Sequence, residues 1–187
     1  MKDALAIHRW LLAHQIHHEI VRLPRPLTCS DELPLVLGVA PETCVHASVF
    51  EVWPRDGRGP GGAAAVPVAV ICAVSAALTS AVVAAALRAH RAQPASPFQV
   101  NLLTDYPDRL ICPLLLPEGL PVLVDRRLFD RLGPYDVVHT PTGERFTVLR
   151  VRAAQLAALL PGRRVDFLPR HETGPAAVAA QCTRHRP

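Results

Sequence analysis

Residues 104–125 read TDYPDRLICPLLLPEGLPVLVD, from Thr104-Asp105-Tyr106-Pro107-Asp108-Arg109-Leu110-Ile111-Cys112-Pro113 through Pro117-Glu118-Gly119 to Val122-Leu123-Val124-Asp125. Pro107 and Pro113 pin a loop that turns from polar to apolar. The pattern predicts a tight loop, a short apolar strand over 110–116, a turn at Pro117–Gly119, and a second strand over 120–125 that ends on a carboxylate. Apolar runs of this length between turn signals suit buried strands. A loop held between core strands is a place where backbone amides can be aimed at a ligand.

Outward from this stretch, helices and short strands alternate irregularly. Asp3 to about Gln15 has helical spacing, with Leu5, Ile7, Trp10 and Leu11 on one side and Asp3 as the cap. His17 to Leu23 reads as a strand. Ser30-Asp31-Glu32 opens a second helix that Gly38 ends. Cys44 to Trp53 is strand-like by its β-branched and aromatic content, and Val66 to Ala73 pairs back onto it. The Gly-rich segment Arg55–Gly62 reads as an exposed loop. A helix is expected over Thr79–His90, a linker over Pro94–Pro97 and a short strand over Phe98–Leu103. Arg126–Arg131 suggests a helical turn. Tyr135–Thr140 and Arg145–Val151 suggest a hairpin, Ala153–Leu160 a helix and Val165–Leu168 a last strand. Residues 1–168 read as one domain and 169–187 as a loosely ordered tail.

The chain has 187 residues, enough to bury a sizeable core. Its net charge of +4 suits an anionic partner without demanding one. Lys2 is the sole lysine beside many arginines, which reads as coding bias, and no run of like charges forms a phosphate-tracking arm. Five cysteines at irregular spacing, without a secretory signal, suggest reduced thiols and a cytoplasmic protein. Val66–Leu87 carries no charge and is long enough to span a bilayer. Pro67 and the change from β-branched residues to Ala argue instead for a buried strand followed by a buried helix, so no membrane is expected. Neither GxGxxG nor GxxxxGK[ST] is present, and no nucleotide cofactor is expected. His14, His17 and His18 invite a metal reading, but zinc wants three or four ligands in defined geometry and no HExxH pattern exists. Surface histidines near a helix end are the better reading.

The 104–125 stretch resembles the TGYxPGGVSP…LPVYVD segment of the YbaK/ProX-type aminoacyl-tRNA deacylases, which also occur as the editing domain of bacterial prolyl-tRNA synthetases. Thr104, Tyr106, Pro107, Pro113 and Asp125 match. Asp105, Arg109 and Leu110 stand where the family usually has glycines. Ser30–Gly38 followed by Pro41–Phe50 resembles the family's "eeAaealGvpPeqvvKtlvf" segment, with His46 in place of the signature lysine. The resemblance runs over most of residues 4–168. It implies an α/β fold with a mixed, strongly curved sheet or partial barrel and flanking helices. It implies hydrolysis of the ester of mischarged aminoacyl-tRNA, with the terminal ribose hydroxyl helping to activate water and loop amides polarising the carbonyl. The partners implied are aminoacyl-tRNA and, as a further candidate, an aminoacyl-tRNA synthetase. The alternative is a non-catalytic binding module that keeps the fold and takes tRNA, an amino-acid-like ligand or a protein.

Carried over residue by residue, the catalytic candidates are His46 and the loop Arg109, Leu110, Ile111, Cys112 and Pro113. The substrate-binding candidates are Thr104, Tyr106, Asp125 and His139. His46 has two readings: a group that exchanges a proton near neutral pH, or a strand histidine satisfied by a backbone carbonyl. Cys112 could supply a thiolate, but a small buried hydrophobe is the favoured reading. Asp125 could bind a ligand amine or cap the following turn. His139 could face the pocket, though a surface role is favoured.

Overall fold

In the computed structural model, residues 1–55, 64–76 and 78–167 are described. The expected exposed loop, Arg55 apart, and the expected C-terminal tail lie outside these residues.

Helix α1 spans Ala4–Ala13. The Asp3 carboxylate accepts the Ala6 N–H at 2.8 Å and caps it, while Ile7 and Leu11 are buried. Gln15 turns left-handed (φ 57°), so His14 and His18 do not share a helix face. His18 instead begins strand β1 (His18–Arg22) and its Nε2 meets His8 Nδ1 at 2.8 Å. A 3-10 turn, Ser30–Glu32, runs into α2 (Leu33–Leu37), closed by left-handed Gly38. Strands β2 (Val45–Pro54) and β3 (Val66–Ala73) form the expected antiparallel pair. Helix α3 is shorter than expected, Ser80–Ala86. Arg88 takes φ 50° and turns the chain into a strand instead, β4 (Ala89–Pro94), which zips onto β2. The stretch expected as a strand near Phe98 is helix α4 (Pro97–Thr104). Ser96 and Gln99 cap one another's backbone, and Pro97 fits the first helical turn, so local capping overrides the apolar run.

Strands β5 (Val122–Asp125), β6 (Val137–Pro141) and β7 (Thr147–Arg152), helix α5 (Ala153–Leu159) and strand β8 (Arg163–Val165) complete the fold. The last strand lies earlier than expected because it pairs in parallel with β5. The strand expected over 110–116 does not form: Ile111 makes one isolated bridge to Ala47. Pro113 has no N–H to give a ladder, and Leu115 is left-handed, φ 57°. The turn at Pro117–Gly119 forms as expected, with Leu120 N–H on the Pro117 carbonyl at 3.0 Å.

The architecture is mixed α/β. One sheet has the order β1-β7-β6 and the other β4-β2-β3-β5-β8, joined by a bridge between Cys44 and His139. The larger sheet combines antiparallel β2 pairs with parallel β3–β5 and β5–β8 pairs, and it is open at β4 and β8. One face packs Val45, Val49 and Ile71 into the main core with α1 and α5. The other packs Phe50, Val70 and Leu123 against Val83 of α3 and Phe167. The uncharged stretch Val66–Leu87 therefore divides into a sheet strand and a seven-residue helix. Among the described residues no helix is long and apolar enough to cross a membrane.

Candidate functional site

His46 stands opposite Cys72 in the β2–β3 register. Ile71 pairs with Val124 of β5, so one position further along Cys72 lies beside Asp125. Alternation of side chains puts all three on the same face of the sheet. The Cys72 Sγ lies 3.4 Å from His46 Nε2. Burial holds the half-buried His46 imidazole below its ordinary value, and Asp31 on the 3-10 turn acts the other way. Burial pushes the Cys72 thiol up, as do the carboxylates of Asp125 and Asp31. Burial thus favours the neutral form of both partners, a thiol–imidazole hydrogen bond over a thiolate–imidazolium pair.

The 109–113 loop reaches this row from the side. Ala47 N–H donates to the Ile111 carbonyl at 3.3 Å, next door to His46. Arg109 takes φ 65°, a conformation that glycine adopts at little cost. Its carbonyl is fixed by Ser30, whose N–H and Oγ donate to it at 2.9 and 2.7 Å. Ser30 precedes Asp31, so one short turn ties the loop to the surroundings of His46. Arg109 is exposed, and Leu110 through Pro113 are buried. Leu110 N–H is directed at the Pro107 carbonyl, at 3.3 Å, and Leu110 packs with Leu27, Leu33 and Val148. A groove of about 600 Å³ runs along the other side of the loop, walled by Leu27, Pro107, Leu110, Arg145 and Phe146. His46 and Cys72 are not among its walls.

Cys112 is fully buried, and its thiol is pushed up to about 12 by burial. Thr104 and Tyr106 are also buried. Thr104 Oγ1 donates to the Val100 carbonyl at 2.7 Å and accepts the Tyr106 N–H at 3.1 Å. Tyr106 Oη donates to the Leu114 carbonyl at 2.9 Å. These two residues hold the loop's shape from beneath. Asp125 accepts the Arg127 N–H at 3.1 Å, which makes it a turn cap at the end of the row. Burial pushes its carboxyl up. His139 is buried rather than at the surface, and its Nδ1 has no hydrogen-bond partner. It pairs with Arg150 across the β6–β7 ladder and bridges to Cys44. Burial, then the nearby Arg150, hold it below the ordinary imidazole value.

Sequence reasoning missed three groups here. Cys72 and Asp31 flank His46 and gave no signal of their own. Lys2 did give one, as the sole lysine. Its ammonium donates to the Thr104 carbonyl at 3.0 Å and to the Leu115 carbonyl, and it lies 5.4 Å from the Tyr106 ring centre. It anchors the loop from the N-terminal side. Among the described residues no group of three His, Cys, Asp or Glu side chains could hold a metal ion.

No protein-family model matches the chain, and no curated protein does. Solved structures do match. A hypothetical protein, APE2540, aligns with a TM-score of 0.64 at 19% identity, over 85% of this chain and 97% of its own. A candidate trans-editing enzyme for prolyl-tRNA synthetase aligns with a TM-score of 0.63 at 19% identity, over 86% of this chain and 92% of its own. This chain has the fold of that editing enzyme. A scaffold protein used for computational epitope grafting shares it too, with a TM-score of 0.63 at 17% identity, over 86% of this chain and 92% of its own. The shared fold covers 85% to 86% of the chain, and it is the fold that the 104–125 motif implied.

Proposed function

We propose that this chain hydrolyses the ester of mischarged aminoacyl-tRNA where His46 lies beside the Arg109–Pro113 loop. The observation that supports this reading is the Ala47–Ile111 bridge, which brings the 109–113 loop to the strand position next to His46. Burial pushes the thiols of Cys72 and Cys112 up, which disfavours either as a thiolate nucleophile. Water is the attacking group, and the substrate's own ribose hydroxyl activates it. Neutral His46 is suited to accept a proton near the ester. The amides of Ile111 and Cys112 are the candidates to polarise the carbonyl, a role that can supply about 3–4 kcal/mol per donor.

The rival is a binding module on the same fold, and one observation favours it. Leu110 through Pro113 are buried, and the Leu110 amide already faces Pro107, so the loop is less open than glycines would make it. A panel of aminoacyl-tRNAs incubated with the purified protein separates the two. Loss of the amino acid from at least one member, faster than spontaneous hydrolysis, is expected. Stability of the whole panel transfers the proposal to the binding module.

A further inference from the structure

The groove on the far side of the 109–113 loop takes no part in the chemistry at His46. Its volume, about 600 Å³, is that of a small-ligand site. The floor is apolar: Leu27 and Leu110 are buried together there, and Pro107 continues it. Phe146 also lines it and is still 47% exposed, so the groove leaves apolar surface in water.

Four of the lining residues carry charge, and two of these are already satisfied. The Met1 ammonium meets the Asp105 carboxylate at 3.0 Å. Glu144 accepts the Ala4 N–H through Oε1 at 3.3 Å and the Thr147 hydroxyl through Oε2 at 2.9 Å. Asp108 and Arg145 remain. Arg145 gives its Nε–H to the Leu27 carbonyl at 3.0 Å, which leaves the two terminal nitrogens of an exposed guanidinium. Asp108 is half-buried, and burial pushes its carboxyl up while the Arg109 N–H and charge act the other way. Among the described residues neither group closes a salt bridge.

The backbone sets how far apart the two lie. Leu27 N–H donates to the Arg145 carbonyl at 2.8 Å, and Ser30 N–H to the carbonyl of Arg109, next to Asp108, at 2.9 Å. Leu27 to Ser30 spans at most about 10 Å of chain. One cation and one anion are thus anchored at either end of that segment, along an apolar floor. A ligand with a single charge leaves the other group desolvated without a partner, which is costly. A free amino acid holds both charges on one carbon and does not reach both ends. Two or three residues of extended peptide place ammonium and carboxylate about 7–10 Å apart. Their apolar side chains cover the floor, and a guanidinium fork matches the terminal carboxylate.

We propose that this groove binds peptides of two or three residues with apolar side chains, the free ammonium on Asp108 and the free carboxylate on Arg145. This binding does not depend on the hydrolase reading.

Calorimetric titration of the full chain with the tripeptide Leu-Ala-Leu tests it. Acetylating the ammonium or amidating the carboxylate should each weaken binding about tenfold or more, as loss of a charged hydrogen bond does. Free leucine should bind more weakly by at least the same factor. Asp108→Asn should weaken the free peptide and no longer distinguish it from the acetylated one, while still rejecting the amide. Arg145→Gln should show the converse. A merely structural role for either residue does not produce that matched pattern. Arg91→Gln, exposed on β4, should bind as the parent does. Thermal melts establish that each variant is folded, and the blocked peptides on the parent protein decide the matter where one is not. No binding of Leu-Ala-Leu at millimolar concentration would overturn the proposal. So would parent binding of either blocked peptide, or of free leucine, equal to that of the tripeptide. Equal binding of decanoate or decylamine would overturn it too, and make the groove a plain apolar trough.

Discussion

At the scale of single residues the proposed hydrolysis turns on His46, which stands where the resembled family has a lysine. Its imidazole sits below the ordinary 6.5, chiefly through burial. If neutral imidazole is the working form, kcat/KM for deacylation should rise as pH climbs toward about 6.5 and then level off. A pH–rate profile checks this. His46→Ala should lower the rate about 100-fold, within the usual range for a general acid–base group. Parent-like activity in that variant would remove His46 from the mechanism. Cys112→Ser should keep the rate within about twofold, because the thiol is buried and protonated; a large loss with the fold intact would identify a thiol enzyme instead. Arg109 offers a second test. An L-residue in the left-handed region costs roughly 1 kcal/mol, which glycine avoids, while glycine adds unfolded-chain entropy of similar size. Arg109→Gly should therefore change stability by less than about 1 kcal/mol in a urea melt. Arg109→Val, β-branched at φ 65°, should destabilise clearly.

Among the elements, α4 and the Arg109–Pro113 loop depend on local devices more than on hydrophobic pattern. The Ser96–Gln99 box starts α4, and its last residue, Thr104, supports Tyr106 beneath the loop. Ser96→Ala should cost about 1 kcal/mol of stability, the usual worth of an N-cap, measured by chemical denaturation. An unchanged midpoint would mean that tertiary packing alone holds the helix. Gly143 is a sharper case. It has φ 88°, and an added Cβ would lie 2.8 Å from both the Lys2 carbonyl and the Tyr106 ring. Gly143→Ala should lower the melting temperature by several degrees, since backbone and ring must both move.

For the molecule as a whole, the pH dependence of stability follows from His46 and His139, both held below the ordinary imidazole value by burial. Between their folded values and 6.5 the unfolded chain binds more protons, so stability is fully present above about 6.5 and falls as the solution is acidified below it. Asp108 and Asp125 act in the opposite sense, because burial raises both. Above 3.8 the folded state takes up their protons first, so they recover part of the loss in the more acidic range. Urea midpoints at pH 7.5 and pH 5.5 should show the decline, and His46→Gln/His139→Gln should flatten it. A midpoint that does not change between those two values would contradict the burial of these rings.

The sequence by itself determined the elements whose signals are local. Capping and periodicity marked α1, Gly38 marked the end of α2, and β-branched runs marked β2, β3 and β5. The motif order of 104–125 pointed to the editing fold. The break between β3 and α3 was legible because Pro67 and the shift to Ala are compositional. Tertiary structure decided what depends on partners. Ala89–Pro94 is a strand because β2 offers it an edge, and 110–116 is not one because Ile111 alone finds a bridge. The neighbours of His46 come from β3, β5 and a turn, at sequence separations that no spacing rule reaches. The β5–β8 edge has the same origin. Parallel pairing requires a long crossover between neighbouring strands, so Arg126 reaches Val165 and Asp166 only once β8 has docked on β5.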